Sequence, residues 1–508
     1  MKNLRIVTGV IFFMIVPFAQ VQAQENPFSQ ERTELNALQK YEQEHPPRQS
    51  MPMPAPAENE ALFGSRLTRS VTLLATSTPE HRWPVKILIY GQSIVGSQIF
   101  TEQLAERLKE KFPFADITIE NRSIGGFAGD RLLGTSVNDV TYACADLIIF
   151  HVYGGEKHGE LEQIFSNIRK NTTADVLLLG HHMVNNEKML FPESFDSFQY
   201  LRYIANKYNL EWVDVSKEWL RYLLDNNFKR NDLLRDYVHP NRAGNLLLSR
   251  LVVRHLNYNY LFPSDWYKTV QTYYVSEAYD KDSPFVFGKW RWKMLDTIPC
   301  GDSPKDTLKF SFSGNRIDLI AGHLWSKEKL GSASIRIDGK PVSEHNLYAI
   351  TRPSPGPKTW WPAIRRVSNV KPLIAEDWTL KVDKVNADST IYYYSVKGTK
   401  TGVDGSGNTA ERFVSKSGRV VIEPDNFMFS EINKGFHGEV PVGFTVTWSV
   451  KPLFKEIYQS PATSDRAKVY KTTVVQGMKN GSHTLEIIPN GDGVVPIEAI
   501  EVHRPPRL

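Results

Sequence analysis

Cysteine is nearly absent from this chain. There are two in 508 residues, Cys144 and Cys300. Two thiols cannot form a disulfide framework. They are read as separate buried thiols, because they fall in different parts of the chain. After the first twenty or so residues, no apolar run approaches the roughly 18 residues a membrane-spanning helix needs. There is no dense Lys/Arg run, and a net charge of +5 is small for this length. A nucleic-acid partner is therefore not expected. Five histidines, His151, His158, His181, His182 and His239, raise the question of a metal. No HExxH and no cysteine pair accompanies them, so no metal site is expected. No internal repeat is clear enough to count.

What is present begins with Val85-Lys86-Ile87-Leu88-Ile89-Tyr90-Gly91-Gln92-Ser93. Val85–Tyr90 is apolar and partly β-branched, as in a strand buried on both faces. Gly91 breaks it. From about residue 97 to 112 an amphipathic run follows, with Phe100, Leu104, Leu108 and Phe112 at four-residue spacing. Ser93 thus falls on a turn between a strand end and a helix start, where α/β sheets carry reactive groups. Its other reading is a simple helix cap.

A second stretch bears on that choice: Asp236-Tyr237-Val238-His239-Pro240-Asn241, followed by an apolar-rich helical run to about Leu256. An Asp three residues before a His suits an acid that orients a base. Such a His can take the proton of Ser93.

Together these residues resemble the SGNH (GDSL-type) hydrolases. Gly91-Gln92-Ser93 is similar to their first block, with Gln where many members have Asp. Ser123-Ile124-Gly125-Gly126-Phe127-Ala128 resembles the second, whose glycine donates a backbone N–H to an oxyanion. Asp236 and His239 match the last. The resemblance implies Ser93 as nucleophile, His239 as base, Asp236 as its orienter, and the N–H groups of Ser93 and Gly126 as oxyanion donors. It also implies a flavodoxin-like, three-layer α/β domain with a parallel sheet, and chemistry without a cofactor. The third block departs. Where the family has Gly-x-Asn-Asp, this chain has Tyr153-Gly154-Gly155-Glu156-Lys157-His158. An ionised Glu156 in place of the Asn cannot donate to an oxyanion. His158, His181 and His182 are candidates to compensate. Gln92, Glu156, His158, His181 and His182 are the candidate substrate contacts. The bland reading of His181-His182 is a loop pair bonded to backbone.

In chain order, residues 1–23 read as a cleaved secretory signal, with Lys2 and Arg5 before an apolar core and Ala23 at the cut. No cysteine near the cut offers a lipid anchor. A secreted or periplasmic location follows as an expectation. Residues 24–83 form an arm, with an extended proline-rich linker near 46–56 and apolar residues returning at 62–77. Residues 84–262 alternate strand and helix and make the SGNH-like domain. Helices are expected at 97–112, 158–169, 195–208, 216–226 and 241–256. From about residue 263 to 508 strand-only texture takes over, as in a β-sandwich or jelly roll. Asp338-Gly339 is its strongest hairpin signal. The start and end of this region share their texture, and 343–470 reads as a long elaboration. Trp360-Trp361 is either a sugar-stacking pair or a core or interdomain aromatic pair.

The expected function is a secreted serine esterase that removes O-acetyl groups from a plant cell-wall-type polysaccharide or oligosaccharide, such as pectin or hemicellulose. Two alternatives stay open: a catalytically inactive glycan-binding protein on the same fold, and a secreted lipase or thioesterase.

Overall fold

The computed structural model describes residues 4–8, 40, 44, 51–154, 159–182, 196–236, 238–279, 283–287 and 292–506. The first of two regions is a wound α/β domain. Its strands are β1 Leu4–Thr8, β2 Pro84–Gly91, β3 Asp116–Asn121, β4 Leu147–His151, β5 Asp175–Leu179 and β6 Glu211–Val213. Its helices are α1 Thr68–Ala75, α2 Gln98–Lys111, α3 Gly129–Asp139, α4 Glu160–Asn171, α5 Asp196–Lys207, α6 Val215–Asp225 and α7 Arg242–Arg254.

The sheet order is β1-β3-β2-β4-β5-β6, and every pair is parallel. Without β1 the order is that of a flavodoxin-like sheet. The strand order reverses at β2, with β3 on one side and β4 on the other. That reversal opens a crevice beyond the C-terminal ends of β2 and β4.

Alternation along β2 explains the layers. Val85, Ile87 and Ile89 enter one core with Leu74, Phe100, Leu104, Trp219 and Leu251. Leu88 and Tyr90 enter the other, with Leu132, Leu161, Phe165 and Ile204. A strand wrapped on both faces needs apolar residues at nearly every position, which is why Ile87–Tyr90 reads as a continuous run, with Lys86 paired to Glu120 near the strand start.

Most elements lie within a few residues of their sequence-based positions. Helices α1 and α3 are exceptions: α1 lies in the stretch read only as a packing arm, and no helix is expected at α3. Its sequence, GDRLLGTSVND, is rich in glycine and in residues that favour caps and turns, so it lacks the usual signature. Tertiary packing of Leu132, Thr135 and Ser136 makes it helical. Of residues 1–23, for which a secretory signal is expected, only Leu4–Thr8 is described, as the edge strand beside β3. The expected cut at Ala23 lies outside the described residues. In the arm, carbonyls of Met51, Pro52, Ala55 and Pro56 accept bonds from Tyr222, Arg250, Arg254 and Arg221 on α6 and α7. A proline-rich segment has few N–H groups to satisfy, so it docks through its carbonyls.

The second region is antiparallel β, but it is built on two main sheets. One has ten strands and uses both ends of the region: Leu308–Ala321 pairs with Lys471–Pro489 and with Val495–His503. That is why start and end share a texture. Irregular pairing at Gly314/Arg316 bends Leu308–Ala321. Asp338 and Gly339, both at positive φ, make the expected hairpin. The segment read as an elaboration holds a five-stranded sheet of its own, from Tyr348–Ile350 to Thr445–Pro452, with a separate core around Trp378, Tyr394 and Trp448. It is an inserted unit.

The ten-stranded part meets the α/β domain through buried charge. Arg69 of α1 bonds Asp146 at 2.8 Å and approaches Glu501 at 3.5 Å. Lys471 reaches Glu501 at 3.1 Å. Arg316 bonds Asp318 at 2.5 Å, and His503 lies 3.2 Å from Asp318 and 2.9 Å from Glu501. Burial alone would raise the Asp318 carboxyl. The Arg316 guanidinium and the His503 bond outweigh burial and hold it well below the usual carboxylate range. The cysteines are both free. Cys144 donates to Gln476 across this interface at 2.9 Å, and burial pushes the Cys300 thiol up to about 12. Among the described residues, no helix is long and apolar enough to cross a membrane.

Candidate active site

The site lies at the crevice beyond β2 and β4. Gly91 ends β2 at φ +147, and a Cβ there would sit 2.0 Å from the His151 carbonyl oxygen. Only glycine lets the two strand ends approach so closely. The chain then turns through Gln92 into a short helical turn, Ser93–Gly96.

Ser93 is not used as a cap. Neither this turn nor α2 has a side-chain cap bond. Instead Ser93 Oγ lies 3.0 Å from His239 Nε2. His239 Nδ1 lies 2.8 Å from Asp236 Oδ2 and 3.1 Å from Oδ1. Asp236 Oδ1 also accepts the backbone N–H groups of Val238 and His239, each at 2.7 Å. Burial raises the Asp236 carboxyl, but these bonds outweigh it and hold it below the ordinary value. Asp236 therefore stays ionised and keeps the Nδ1 proton in place, leaving Nε2 to accept from Ser93.

The loop carrying Asp236 and His239 is tied at both ends. The Arg235 N–H donates to the His239 carbonyl at 3.0 Å. Asn241 caps α7 by accepting the Gly244 N–H, and Asn245 donates to the carbonyls of Pro240 and Asn241. From inside, His182 bonds the Val238 backbone.

On the other side of Ser93 runs the loop Ser123–Ala128. Among the described residues, the N–H groups of Ser93 and Gly126 donate to no protein acceptor. Gly126 has φ +78, a conformation suited to glycine. Three successive carbonyls of this loop are held by side chains. Gly125 O accepts from Trp360 Nε1 at 2.9 Å and Trp361 Nε1 at 2.7 Å. Gly126 O accepts from Arg131 at 3.3 Å, and Phe127 O accepts from the Gln92 amide. Gln92 also donates to Tyr153 O at 2.6 Å.

Ser93, Gly126 and the Asp236–His239 pair therefore come together from three separated stretches. Three other candidates have interior partners. Gln92 is 5% exposed and braces two loops. His181 faces His151 at 3.3 Å and Tyr153 edge-on. His182 packs on Trp219, and burial, with His181 beside it, pushes its pKa down to about 3. Each of these three side chains is almost fully covered by the protein. Glu156 and His158 lie outside the described residues.

Trp360, Trp361, Arg131 and Arg352 are not among the sequence-predicted residues of this site. Arg352, from the inserted unit, bonds Asp139 at 2.6 and 2.9 Å and the Arg122 carbonyl at 2.6 Å. Arg131 lies 4.8 Å over the Trp361 ring and pairs with Glu431 at 2.7 Å. The adjacent tryptophans were visible in the sequence. Their partner, more than two hundred positions away, was not.

No family model matches the chain, and no curated protein matches it. Among solved structures, a two-domain esterase active on acetylated mannans, co-crystallised with mannopentaose, is 14% identical. That match covers 84% of this chain and 92% of the other, with a TM-score of 0.30. A variant of an acetyl xylan esterase from Geobacillus stearothermophilus is 16% identical over 36% of this chain and 99% of its own, with a TM-score of 0.31. Another acetyl xylan esterase is 21% identical over 33% and 98%, with a TM-score of 0.28. Likenesses at this level carry no weight for what the chain does, which its own geometry has to decide.

Proposed function

We propose that this protein is an exported serine esterase of the SGNH kind that removes O-acetyl groups from a polysaccharide. The observation that carries the chemistry is the run of hydrogen bonds Ser93–His239–Asp236, at 3.0 and 2.8 Å. Ser93 Oγ attacks the ester carbonyl while His239 Nε2 takes its proton. The oxyanion forms against the N–H groups of Ser93 and Gly126. Its collapse expels the sugar alcohol, which takes the proton back from His239. Water, deprotonated by the same imidazole, then hydrolyses the acetyl-enzyme. An inactive binding protein has no need of these three groups in register with two N–H donors that have no acceptor among the described residues.

The carbohydrate part rests on Trp360. It is 36% exposed, and its indole lies against Gly125 beside Ser93. An indole face there suits stacking on a sugar ring. Acetylated pectin or hemicellulose is the leading substrate class. Acetate release from a panel of acetylated polysaccharides tests this reading. Wild type should release acetate, and Ser93→Ala should lower the rate by about 10³-fold or more while remaining folded. Near-normal turnover in Ser93→Ala would end it.

A further inference from the structure

We propose that Trp360 and Trp361, carried by the inserted five-stranded unit, are positioning residues for the oxyanion hole. This rests on the esterase reading above, and it assigns to the insert a part in the chemical step.

A trans peptide is planar, so its C=O and its N–H point in opposite directions. The peptide joining Gly125 to Gly126 has its carbonyl held by two indole N–H groups, at 2.9 and 2.7 Å. Fixing that oxygen fixes the direction of the Gly126 N–H at the other end of the same plane. Among the described residues this N–H has no acceptor, as an oxyanion donor requires. Two bonds on the carbonyl also polarise the amide, which makes its N–H a stronger donor.

The placement is tight. A Cβ on Gly126 would lie 3.0 Å from Trp361 Cζ2, so the indole packs directly on the glycine. A Cβ on Gly125 would lie 3.1 Å from Trp360 Nε1 and 3.5 Å from Ser93 Cβ. The two rings are in turn fixed by the insert's own helix Phe429–Phe436, since Phe436 meets both edge-on at 5.2 and 4.8 Å. Phe127 of the loop meets Trp361 edge-on at 5.4 Å. Arg352 on Asp139 and Glu431 on Arg131 anchor the insert on either side. The α/β domain by itself leaves the Gly125 carbonyl without these two donors. A left-handed glycine next to another glycine is free to rotate its peptide, so the donor's direction would then be set only weakly.

The test uses the full chain and replaces Trp360→Phe, Trp361→Phe and both. A further variant replaces the Trp361 indole with a benzothiophene of the same shape and no N–H, so that packing is kept. The readouts are kcat and KM on an aryl acetate, inhibition by an alkyl boronic acid that mimics the tetrahedral anion, and thermal midpoint. A misdirected donor should lower kcat by about 10-fold for each bond lost, at little change in KM. Boronate affinity should fall in the same proportion, with the midpoint of the benzothiophene variant unchanged. Wild-type kcat and boronate affinity in that variant and in Trp360→Phe would overturn the inference. So would a loss seen in KM alone, which would leave these rings a role in packing or sugar binding. Absence of any Ser93-dependent turnover in the wild-type chain would overturn the esterase reading beneath it.

Discussion

The two β units touch the α/β domain in different chemical languages. The ten-stranded unit meets it through buried charges: Arg69 and Asp146 on one side, Lys471, Glu501, Asp318, Arg316 and His503 on the other. The insert meets it with two indole N–H groups on one glycine carbonyl, framed by Arg352–Asp139 and Arg131–Glu431. Buried ion clusters are costly to break and say little about catalysis. Neutral donors aimed at one peptide change folding stability modestly, yet can set the direction of an active-site dipole. The first contact should therefore govern whether the molecule stays assembled, and the second how fast it works.

The largest separation of the two should come from Asp318→Asn. It leaves Arg316 buried without its charge partner and should destabilise by about 3–5 kcal/mol. Denaturant unfolding measures this, while kcat of the folded fraction should stay within about two-fold. A stable Asp318→Asn chain with a collapsed kcat would reverse the assignment of roles.

Acid should act on the same cluster. Asp318 and Glu501 have depressed pKa values in the folded chain: burial opposes this, but Arg316, Lys471 and His503 outweigh it. In the unfolded chain such carboxylates titrate near about 4. Their contribution is thus fully present above that pH and is lost progressively as pH falls from there through the depressed folded-state values. The thermal midpoint should begin to drop below roughly pH 5 in wild type and keep dropping as acid is added, and drop less steeply in Asp318→Asn. Equal slopes in the two chains would place the acid sensitivity elsewhere.

The smallest effect sharpens the other contact. Gln92→Leu removes the brace on Phe127 O and Tyr153 O. It should lower kcat on a small ester by about 10-fold, as expected for a loosened oxyanion loop. The same loss combined with Trp361→Phe should be less than additive, because both residues hold one loop. Strict additivity would mean that they act on separate features.

How much of this was legible beforehand follows from the range of each interaction. Strand β2, its stop at Gly91, helix α2 and the Asp236-x-x-His239 turn are local patterns of three to a dozen residues. The Ser93–His239 bond was inferred by pairing two such patterns through a family resemblance, and the sheet brings them to 3.0 Å. Helix α3 was missed because its residues prefer caps and turns, and only burial of Leu132, Thr135 and Ser136 overrides that preference. Gln92 stands out through the family resemblance, and His181 and His182 through their place after a strand. Burial, which local sequence does not encode, makes them interior.

The sequence by itself determined the layered α/β domain, the β texture after it, and which three side chains, Ser93, His239 and Asp236, meet in one run of hydrogen bonds. Each of these rests on periodicity, glycine stereochemistry or short spacing, all of which operate between neighbours. Only the tertiary structure decided that 343–470 contains a second sheet. It alone joined Arg69 to Glu501 and turned two adjacent tryptophans toward the carbonyl of Gly125. Those contacts span more than two hundred positions, and a hydrogen-bond donor carries no mark in sequence of the acceptor it will meet.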